Sequence, residues 1–274
     1  MDNIKNESIE IDLLLEAIYL KYGYDFRGYS KASIKRRIIS FIKTSEFKTI
    51  SALQYEIIYN KESFAKLFNN LSINVTEMFR DPLFYKAIRE YIIPELKEKS
   101  AFKIWHGGCA TGEEVYSMAI LLKEEGIYDK CRIYATDMDG IVLQKAKEGI
   151  YSVENIKEYT LNYNKAGGLK SFSDYYIAKY DYAILDQDLK KNILFSSHNL
   201  ATDYSFGEMD IIICRNVLIY FEQKLQERVI KLFKDSLCKK GFLCLGLKET
   251  IRVSEYTDDF DNVVANQKIY RLNK

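Results

Sequence analysis

The stretch FKIWHGGCATGEE, residues 102–114, decides the fold of this chain. Residues 102–106 form a short apolar run typical of a buried strand, and the pattern from residue 111 to residue 125 predicts a helix. A glycine loop between a strand and a helix lets the backbone approach a ligand closely, with Gly108 as a candidate contact. The stretch therefore predicts the first strand–loop–helix unit of a ligand-binding α/β domain.

Apolar runs and helical patterns alternate on the C-terminal side of this unit. We predict strands at 102–106, 131–135, 193–196, 209–214 and 242–247, and helices at 111–125, 140–148 and 224–237. Such alternation is typical of a mostly parallel sheet with right-handed crossovers. It lapses between residues 159 and 191, which are rich in Tyr, Asn, Lys and Asp, so we predict a small inserted β-subdomain there.

The N-terminal side of the chain is helical instead. Ile11, Leu14 and Ile18 repeat at the spacing of one helix face. Asp81 followed by Pro82 is typical of a helix start, with aspartate as the N-cap and proline in the first turn. The sequence thus predicts a helical domain over residues 1–80, a linker helix over 81–100 and a Rossmann-like α/β domain over 101–274.

The composition excludes several classes of protein. The 274 residues carry 40 Lys and Arg against 39 Asp and Glu, a net charge of +1, so any strong electrostatic attraction must be local. The five cysteines form no CxxC pair and the two histidines form no cluster, so we expect reduced thiols and no bound metal. No signal-peptide core or membrane-spanning stretch is visible, and we expect a cytoplasmic monomer.

Two glutamates in the first turn of the predicted helix, Glu113 and Glu114, indicate the kind of cofactor. A pyrophosphate favours a helix N-terminus free of carboxylates. S-adenosylmethionine has no phosphate and carries a sulfonium and an ammonium group, so the acidic loop favours it. The alternative for Glu114 is a capping box with Thr111 as the N-cap.

A second acidic group follows the next predicted strand, where residues 135–139 read ATDMD. In Rossmann-type folds, an acidic side chain at this position accepts hydrogen bonds from ribose hydroxyls, so Asp137 is the candidate. The alternative is that Asp137 or Asp139 caps the following helix.

Four segments together resemble the CheR-type chemoreceptor glutamate methyltransferases: residues 74–82, 105–117, 135–139 and 210–221. The resemblance covers nearly the whole chain and implies a helical domain, an S-adenosylmethionine-dependent methyltransferase domain and an inserted β-subdomain. The chain departs from the family's usual residues at Met78, at Val115 and at residues 246–249, and its insertion is longer than in pentapeptide-binding members. The resemblance implies these cofactor contacts: Asn74, Thr76, Arg80, Glu114, Asp137, Asn199, Leu200, Arg215 and Asn216.

The resemblance further implies that the chain esterifies glutamate side chains of chemoreceptors. A carboxylate is already ionised at neutral pH, so methyl transfer to it needs no general base. The desolvated anion does need a partner, and the guanidinium of Arg80 can orient a carboxylate through two hydrogen bonds. Tyr220 is the second candidate catalytic residue. The alternatives are that Arg80 pairs with Asp81 or caps structure between the domains, and that Tyr220 is a half-buried aromatic at a strand end.

A basic segment is the candidate docking surface for glutamate-rich receptor helices. Residues 21–48 hold eight basic and two acidic residues, 8 − 2 = +6. Arg36, Arg37 and Lys43 are the docking candidates. The alternative is a solvated helix face. A nucleic-acid surface is disfavoured, because exposed aromatics are not interleaved and the pI is near 7.5. Two other functions stay open: a non-catalytic S-adenosylmethionine-binding scaffold and a methyltransferase that acts on another carboxylate.

Overall fold

The computed structural model describes residues 2–72, 74–252 and 254–273. The chain divides into two compact units, one of Met1–Ile73 with Tyr220–Arg228 and one of Asn74–Ile219 with Val229–Lys274. The first unit therefore ends before the predicted boundary at residue 80, and it also includes residues 220–228 from later in the chain. A backbone hydrogen bond joins this later segment to the helices, because the carbonyl of Tyr220 accepts from the Ser30 N–H at 2.8 Å.

The first unit is helical, as the sequence predicts. Its apolar positions at helical spacing form the core, where Leu14, Ile18, Ile38 and Leu53 are fully buried. Asn60 caps the fourth helix through its side-chain oxygen, which accepts backbone hydrogen bonds from the first turn. Its helices are α1 (Asp2–Tyr22), α2 (Lys31–Thr44), α3 (Ile50–Tyr59) and α4 (Lys61–Leu71).

The second unit holds a sheet that confirms the predicted α/β class. Over the described residues the strand order is β6-β2-β1-β7-β8-β10-β9, with the first five strands parallel and the last two antiparallel to their neighbours. The strands are β1 (Phe102–Gly107), β2 (Cys131–Asp137), β3 (Ile150–Ser152), β4 (Tyr176–Lys179), β5 (Tyr182–Leu185), β6 (Ile193–Ser197), β7 (Met209–Cys214), β8 (Leu237–Leu245), β9 (Phe260–Val264) and β10 (Ile269–Leu272).

The remaining helices are α5 (Pro82–Ala87), α6 (Ile93–Lys97), α7 (Glu113–Glu124), α8 (Gly140–Glu148), α9 (Ile156–Lys165) and α10 (Gln223–Ser236), and a π-helical turn at Ile88–Ile92 joins α5 to α6. Of these helices, α7, α8 and α10 begin and end close to the predicted residues, α5 and α6 share the predicted span 81–100, and α9 was not predicted. The central strands are apolar on both faces, as parallel strands covered by helices require, and Ile104, Ile133 and Ile211 are fully buried. No helix within the described ranges is long and apolar enough to cross a membrane.

The inserted subdomain is larger than the predicted span of residues 159–191. Strands β3, β5 and β4 form a separate antiparallel sheet, in which Tyr151 of β3 pairs with Ala183 of β5. The insertion therefore reaches back to residue 150, and α9 lies inside it. A three-residue strand carries too little alternation to be predicted from sequence. The antiparallel strands β9 and β10 were likewise not predicted.

Candidate active site

The candidate residues of the second unit follow strands that end at one edge of the sheet. The pairing places Gly107 of β1 beside Thr136 of β2, and Asp137 beside Ser197 of β6. Strand β7 runs parallel to β1 on its other side. Since parallel strands present their carboxyl ends together, the loops after β1, β2, β6 and β7 share this edge. Ligands of open α/β sheets bind at such an edge.

The glycine loop lies directly against the loop that follows β7. The N–H groups of Gly108 and Cys109 both donate to the carbonyl of Thr136, at 2.8 and 2.9 Å. Gly108 has a φ of +74°, and a Cβ at this position would lie 2.7 Å from a methyl group of Val217. Only glycine fits both this backbone conformation and this space. The absence of a side chain at Gly108 lets the loop backbone lie close to Val217, next to the candidate residues Arg215 and Asn216.

The capping-box interpretation of Glu114 is wrong. Helix α7 begins at Glu113, and Gly112, with a φ of +91°, occupies the N-cap position. The hydroxyl of Thr111 donates to Glu113 at 2.6 Å instead of capping the helix. The Glu114 carboxylate is thereby left for partners outside its own helix.

Those partners are a histidine and an arginine. One Glu114 oxygen lies 3.2 Å from Nδ1 of His106, and the other accepts a 2.9 Å hydrogen bond from Nη1 of Arg215. Burial opposes the charge of Glu114, but His106 and Arg215 outweigh it and hold the pKa of this carboxyl below its usual value. The carboxylate is thus ionised in the folded protein.

Arg215 connects three segments through one buried guanidinium. Its Nη2 donates to Asp81 at 2.6 Å, its Nη1 reaches the carbonyl of Arg80 at 3.3 Å, and its plane lies 4.1 Å from the ring centre of Phe84. The side chain is 1% exposed. Burial would lower the pKa of Arg215, but neighbours led by Glu114 raise it above its ordinary value. The side chain of Arg215 is therefore engaged with protein groups, and its role is to hold the segment that carries Arg80.

Arg80 itself lies in a conformationally strained segment. Phe79 and Asp81 on either side of it have φ values of +54° and +56°, which residues other than glycine rarely adopt. The alternative pairing of Arg80 with Asp81 is not what the structure contains, because Asp81 pairs with Arg215. Arg80 is half-buried, and its guanidinium donates to the carbonyl of Val75 at 3.2 Å. Its remaining donors can therefore reach a ligand.

The two aspartates at the C-terminal end of β2 have separate roles. Asp137 accepts hydrogen bonds from the N–H groups of Ala110 and Asp139, at 2.9 and 3.0 Å, and burial raises its pKa. Asp139 caps α8 by accepting from Ile141 N–H at 2.9 Å, so the helix-cap interpretation is confirmed for Asp139 and not for Asp137. The other oxygen of Asp139 accepts from the Asn74 amide at 3.3 Å.

The other implied cofactor residues lie in the same unit. Asn199 shapes the loop after β6 by accepting a hydrogen bond from the Ala201 N–H at 2.9 Å, and Leu200 is buried. Asn216 follows β7 with a φ of +62°, and Thr76 is half-buried. Tyr220 ends a 3₁₀ helix and groups with the helical unit.

Sequence reasoning missed Glu249, which holds the loop after β7. One of its oxygens accepts from the N–H groups of Asn216 and Gly246, at 3.0 and 2.5 Å, and the other from those of Val217 and Ile219, at 2.8 and 3.3 Å. Burial raises the pKa of Glu249 while these backbone donors oppose the rise. The sequence shows a departure from the family's usual residues at 246–249, but it does not predict that Glu249 accepts these backbone hydrogen bonds.

The docking candidates on α2 are only partly confirmed as surface residues. Arg36 and Lys43 are exposed. Arg37 is half-buried, its Nη1 donates to the carbonyl of Asn70 at 2.8 Å, and burial lowers its pKa. The Arg37 side chain therefore stabilises the helical unit and is removed from the docking set.

The acidic groups at this edge of the sheet fit S-adenosylmethionine. Carboxylates of Glu114 and Asp137 lie at the loops after β1 and β2, and Glu113 occupies the first turn of α7. A helix that begins with two glutamates does not suit a phosphate, whereas it suits a cationic cofactor. The Asp137 carboxylate accepts backbone hydrogen bonds, among them those from Ala110 and Asp139, and a carboxylate can also accept from ribose hydroxyls.

Comparisons with known proteins agree with this arrangement. Residues 74–269 match the family model of the CheR methyltransferase S-adenosylmethionine-binding domain, and residues 9–72 match that of the CheR methyltransferase all-alpha domain. A Pseudomonas putida protein named as a methyltransferase, Cher3, is 49% identical over 99% of both chains. A chemotaxis protein methyltransferase of Borreliella burgdorferi is 31% identical over 91% of both chains.

Among solved structures, the N-methyltransferase NodS of Bradyrhizobium japonicum in complex with S-adenosylhomocysteine is 11% identical, with a TM-score of 0.42 over 82% of this chain and 98% of that one. The two family models together cover both units of the chain, and the relatives match it over nearly their whole length. The chain therefore belongs to the CheR family of S-adenosylmethionine-dependent methyltransferases.

Proposed function

We propose that this chain transfers the methyl group of S-adenosylmethionine to glutamate side chains of chemoreceptors, forming glutamyl methyl esters. The curated relatives named chemotaxis protein methyltransferases support the receptor as substrate. One structural observation carries the choice of acceptor. Arg80 is half-buried and presents its guanidinium from a segment whose backbone Arg215 holds in place. A guanidinium is the side chain best suited to orient an incoming carboxylate.

The reaction is an in-line displacement. The bound cofactor supplies an electrophilic methyl group on a sulfonium. Held by the candidate residues Glu114 and Asp137, S-adenosylmethionine would supply that methyl group to the carboxylate oxygen and would leave as the thioether S-adenosylhomocysteine. The acceptor is ionised at neutral pH, so the protein need not remove a proton. Its task is alignment, which can contribute about 7–11 kcal/mol to lowering the barrier.

The chain's own residues divide this task between them. Glu114 and Asp137 are our candidates for holding the cofactor, and Arg80 for orienting the acceptor carboxylate. Arg80 must orient without neutralising, because a carboxylate held too tightly is a poorer nucleophile. A scaffold that only binds the cofactor would not need Arg80. The presence of this residue beside the candidate cofactor contacts therefore favours an enzyme.

The proposed activity predicts a particular kind of product. Incubation with cofactor labelled in its methyl group and a receptor cytoplasmic fragment should place label on the fragment, and mild alkali should release that label as methanol. Replacement of the fragment's methylation-region glutamates with alanine is the control and should abolish labelling. Base-stable label would contradict glutamate esterification. Absence of label, with S-adenosylhomocysteine still bound, would favour the scaffold.

Substitution of Arg80 should impair turnover more than binding. Arg80→Ala should fold normally and lose kcat by roughly a hundredfold, because a misplaced acceptor reacts slowly. Affinity for S-adenosylhomocysteine should fall less, and Arg80→Lys should rescue poorly since a point charge cannot reproduce a planar fork. Steady-state kinetics and calorimetry measure both, with Arg132→Ala on the exposed face of β2 as control. Near-normal kcat in Arg80→Ala would remove Arg80 from catalysis.

We further propose that α2 docks glutamate-rich receptor helices in the cytoplasm. Its outer face bears an open, shallow depression lined by Ala32, Lys35, Arg36, Ile39, Ser40 and Lys43. Lys35 pairs with Glu7 at 2.9 Å. Arg36 and Lys43 have no ion pair among the described residues, so their charge is available to an acidic helix.

Charge reversal on this face of α2 should weaken receptor docking without changing cofactor binding. Arg36→Glu with Lys43→Glu should raise the receptor KM several-fold at low salt and flatten its salt dependence, while cofactor affinity stays unchanged. The matched control is Lys61→Glu with Lys66→Glu on α4, which makes the same change in net charge. A KM that responds equally to both pairs would show a general charge effect and would refute a docking role for α2.

A further inference from the structure

The inserted subdomain contacts the glycine loop and the first turn of α7 through one tyrosine each. Tyr151 of β3 is 7% exposed, and its hydroxyl donates to the carbonyl of Thr111 at 2.8 Å. Tyr159 of α9 is 3% exposed, and its hydroxyl lies 3.5 Å from Glu113. We propose that Tyr151 and Tyr159 are positioning residues through which the insertion fixes the glycine loop for S-adenosylmethionine.

The contacted part of the loop needs such support. Ala110 has a φ of +47° and Gly112 one of +91°, so Thr111 lies between two left-handed residues. Ala110 is an unfavourable residue at such a φ, and a strained conformation persists only where its surroundings hold it. Asp137 fixes the loop through the Ala110 N–H. On the other side of the bend, Tyr151 fixes it through the carbonyl of Thr111.

Glu113 links the second tyrosine to the same bend. Its side chain accepts a 2.6 Å hydrogen bond from the Thr111 hydroxyl, and Glu113 is 5% exposed. Burial raises the pKa of Glu113 to about 7, although hydrogen bonds from Thr111 and Tyr159 oppose the rise. A carboxyl group that is this little exposed to solvent relies on hydroxyl donors for its hydrogen bonds. Removal of the Tyr159 hydroxyl should therefore disturb Glu113, whose carboxyl group is bonded to Thr111.

The insertion also contacts the other segment that the family resemblance assigns to the cofactor. The amide of Asn162 in α9 donates to the carbonyl of Met78 at 3.3 Å. The ring of Phe79 packs edge-on against Tyr163 of the same helix, with ring centres 5.2 Å apart. The insertion therefore contacts residues 78–79 through α9 and the glycine loop through Tyr151 of β3.

Helix α9 offers a matched control one turn from Tyr159. The hydroxyl of Tyr163 donates to Glu124, at the opposite end of α7 from Glu113. Tyr163 is fully buried and its hydroxyl also accepts from the Lys170 N–H. Tyr163→Phe thus removes a buried hydroxyl bonded to a glutamate of α7, as Tyr159→Phe does, but far along the helix from the glycine loop.

The test compares cofactor affinity with stability in the full chain. Tyr151→Phe with Tyr159→Phe should raise the Kd for S-adenosylhomocysteine, measured by calorimetry well below the melting temperature, by roughly five- to tenfold. Tyr163→Phe should lower Tm as well but leave this Kd within about twofold. With saturating cofactor, the double variant should recover most of its kcat, which separates a cofactor-positioning role from a loss of folded enzyme.

An unchanged Kd in the double variant would overturn the proposal. An equal rise in Tyr163→Phe would overturn it too, because the effect would then be a general loosening of the insertion. Binding of S-adenosylhomocysteine needs no methyl acceptor, so this result does not depend on whether glutamate is the substrate.

Discussion

The buried guanidinium of Arg215 is the interaction on which the rest of the site depends. It lies between the carboxylates of Glu114 and Asp81, at 2.9 and 2.6 Å. A charge removed from water in this way is stable only while its partners remain, because a buried ion without partners is uncompensated. The two ion pairs of Arg215 hold the end of β7, the start of α7 and the start of α5 in one arrangement. The hydrogen bond from Arg215 to the carbonyl of Arg80 fixes the backbone of Arg80 as well.

Carboxylates hold the neighbouring loops in a second way, by accepting backbone N–H groups. Asp137 does so for the glycine loop and Glu249 for the loop after β7. Loops that carry strained residues such as Asn216 would otherwise relax when no ligand is bound. A site whose loops are ordered beforehand loses less conformational entropy on binding, so more of the contact energy appears as affinity. Acidic residues in this protein therefore organise the site as well as lining it.

The architecture was predictable from the sequence because it depends on local periodicity, and the bounds of α8 and β7 were predicted to the residue. Predictions failed where a distant partner decides the role of a side chain. Glu114 has the spacing of a capping box, yet Arg215, 101 residues away, takes its carboxylate. Arg37 follows the basic pattern of α2 but is bound to Asn70, and Glu249 bonds backbone groups about 30 residues earlier. Local sequence patterns do not predict pairings between residues that lie so far apart in the chain.

A double-mutant cycle on the unfolding free energy tests the central role of the Arg215 pair most directly. The variants are Arg215→Gln, Asp81→Asn and their combination, measured by denaturant unfolding at neutral pH. If the pair holds these segments together, Arg215→Gln should cost about 3–5 kcal/mol, because it takes the arginine away from the buried Glu114. Asp81→Asn should cost less, because Glu114 still pairs with Arg215 and the Asp81 side chain is 30% exposed. The combination should then cost at least about 1 kcal/mol less than the sum of the two. Additive costs would show that Arg215 and Asp81 act independently and would contradict the account.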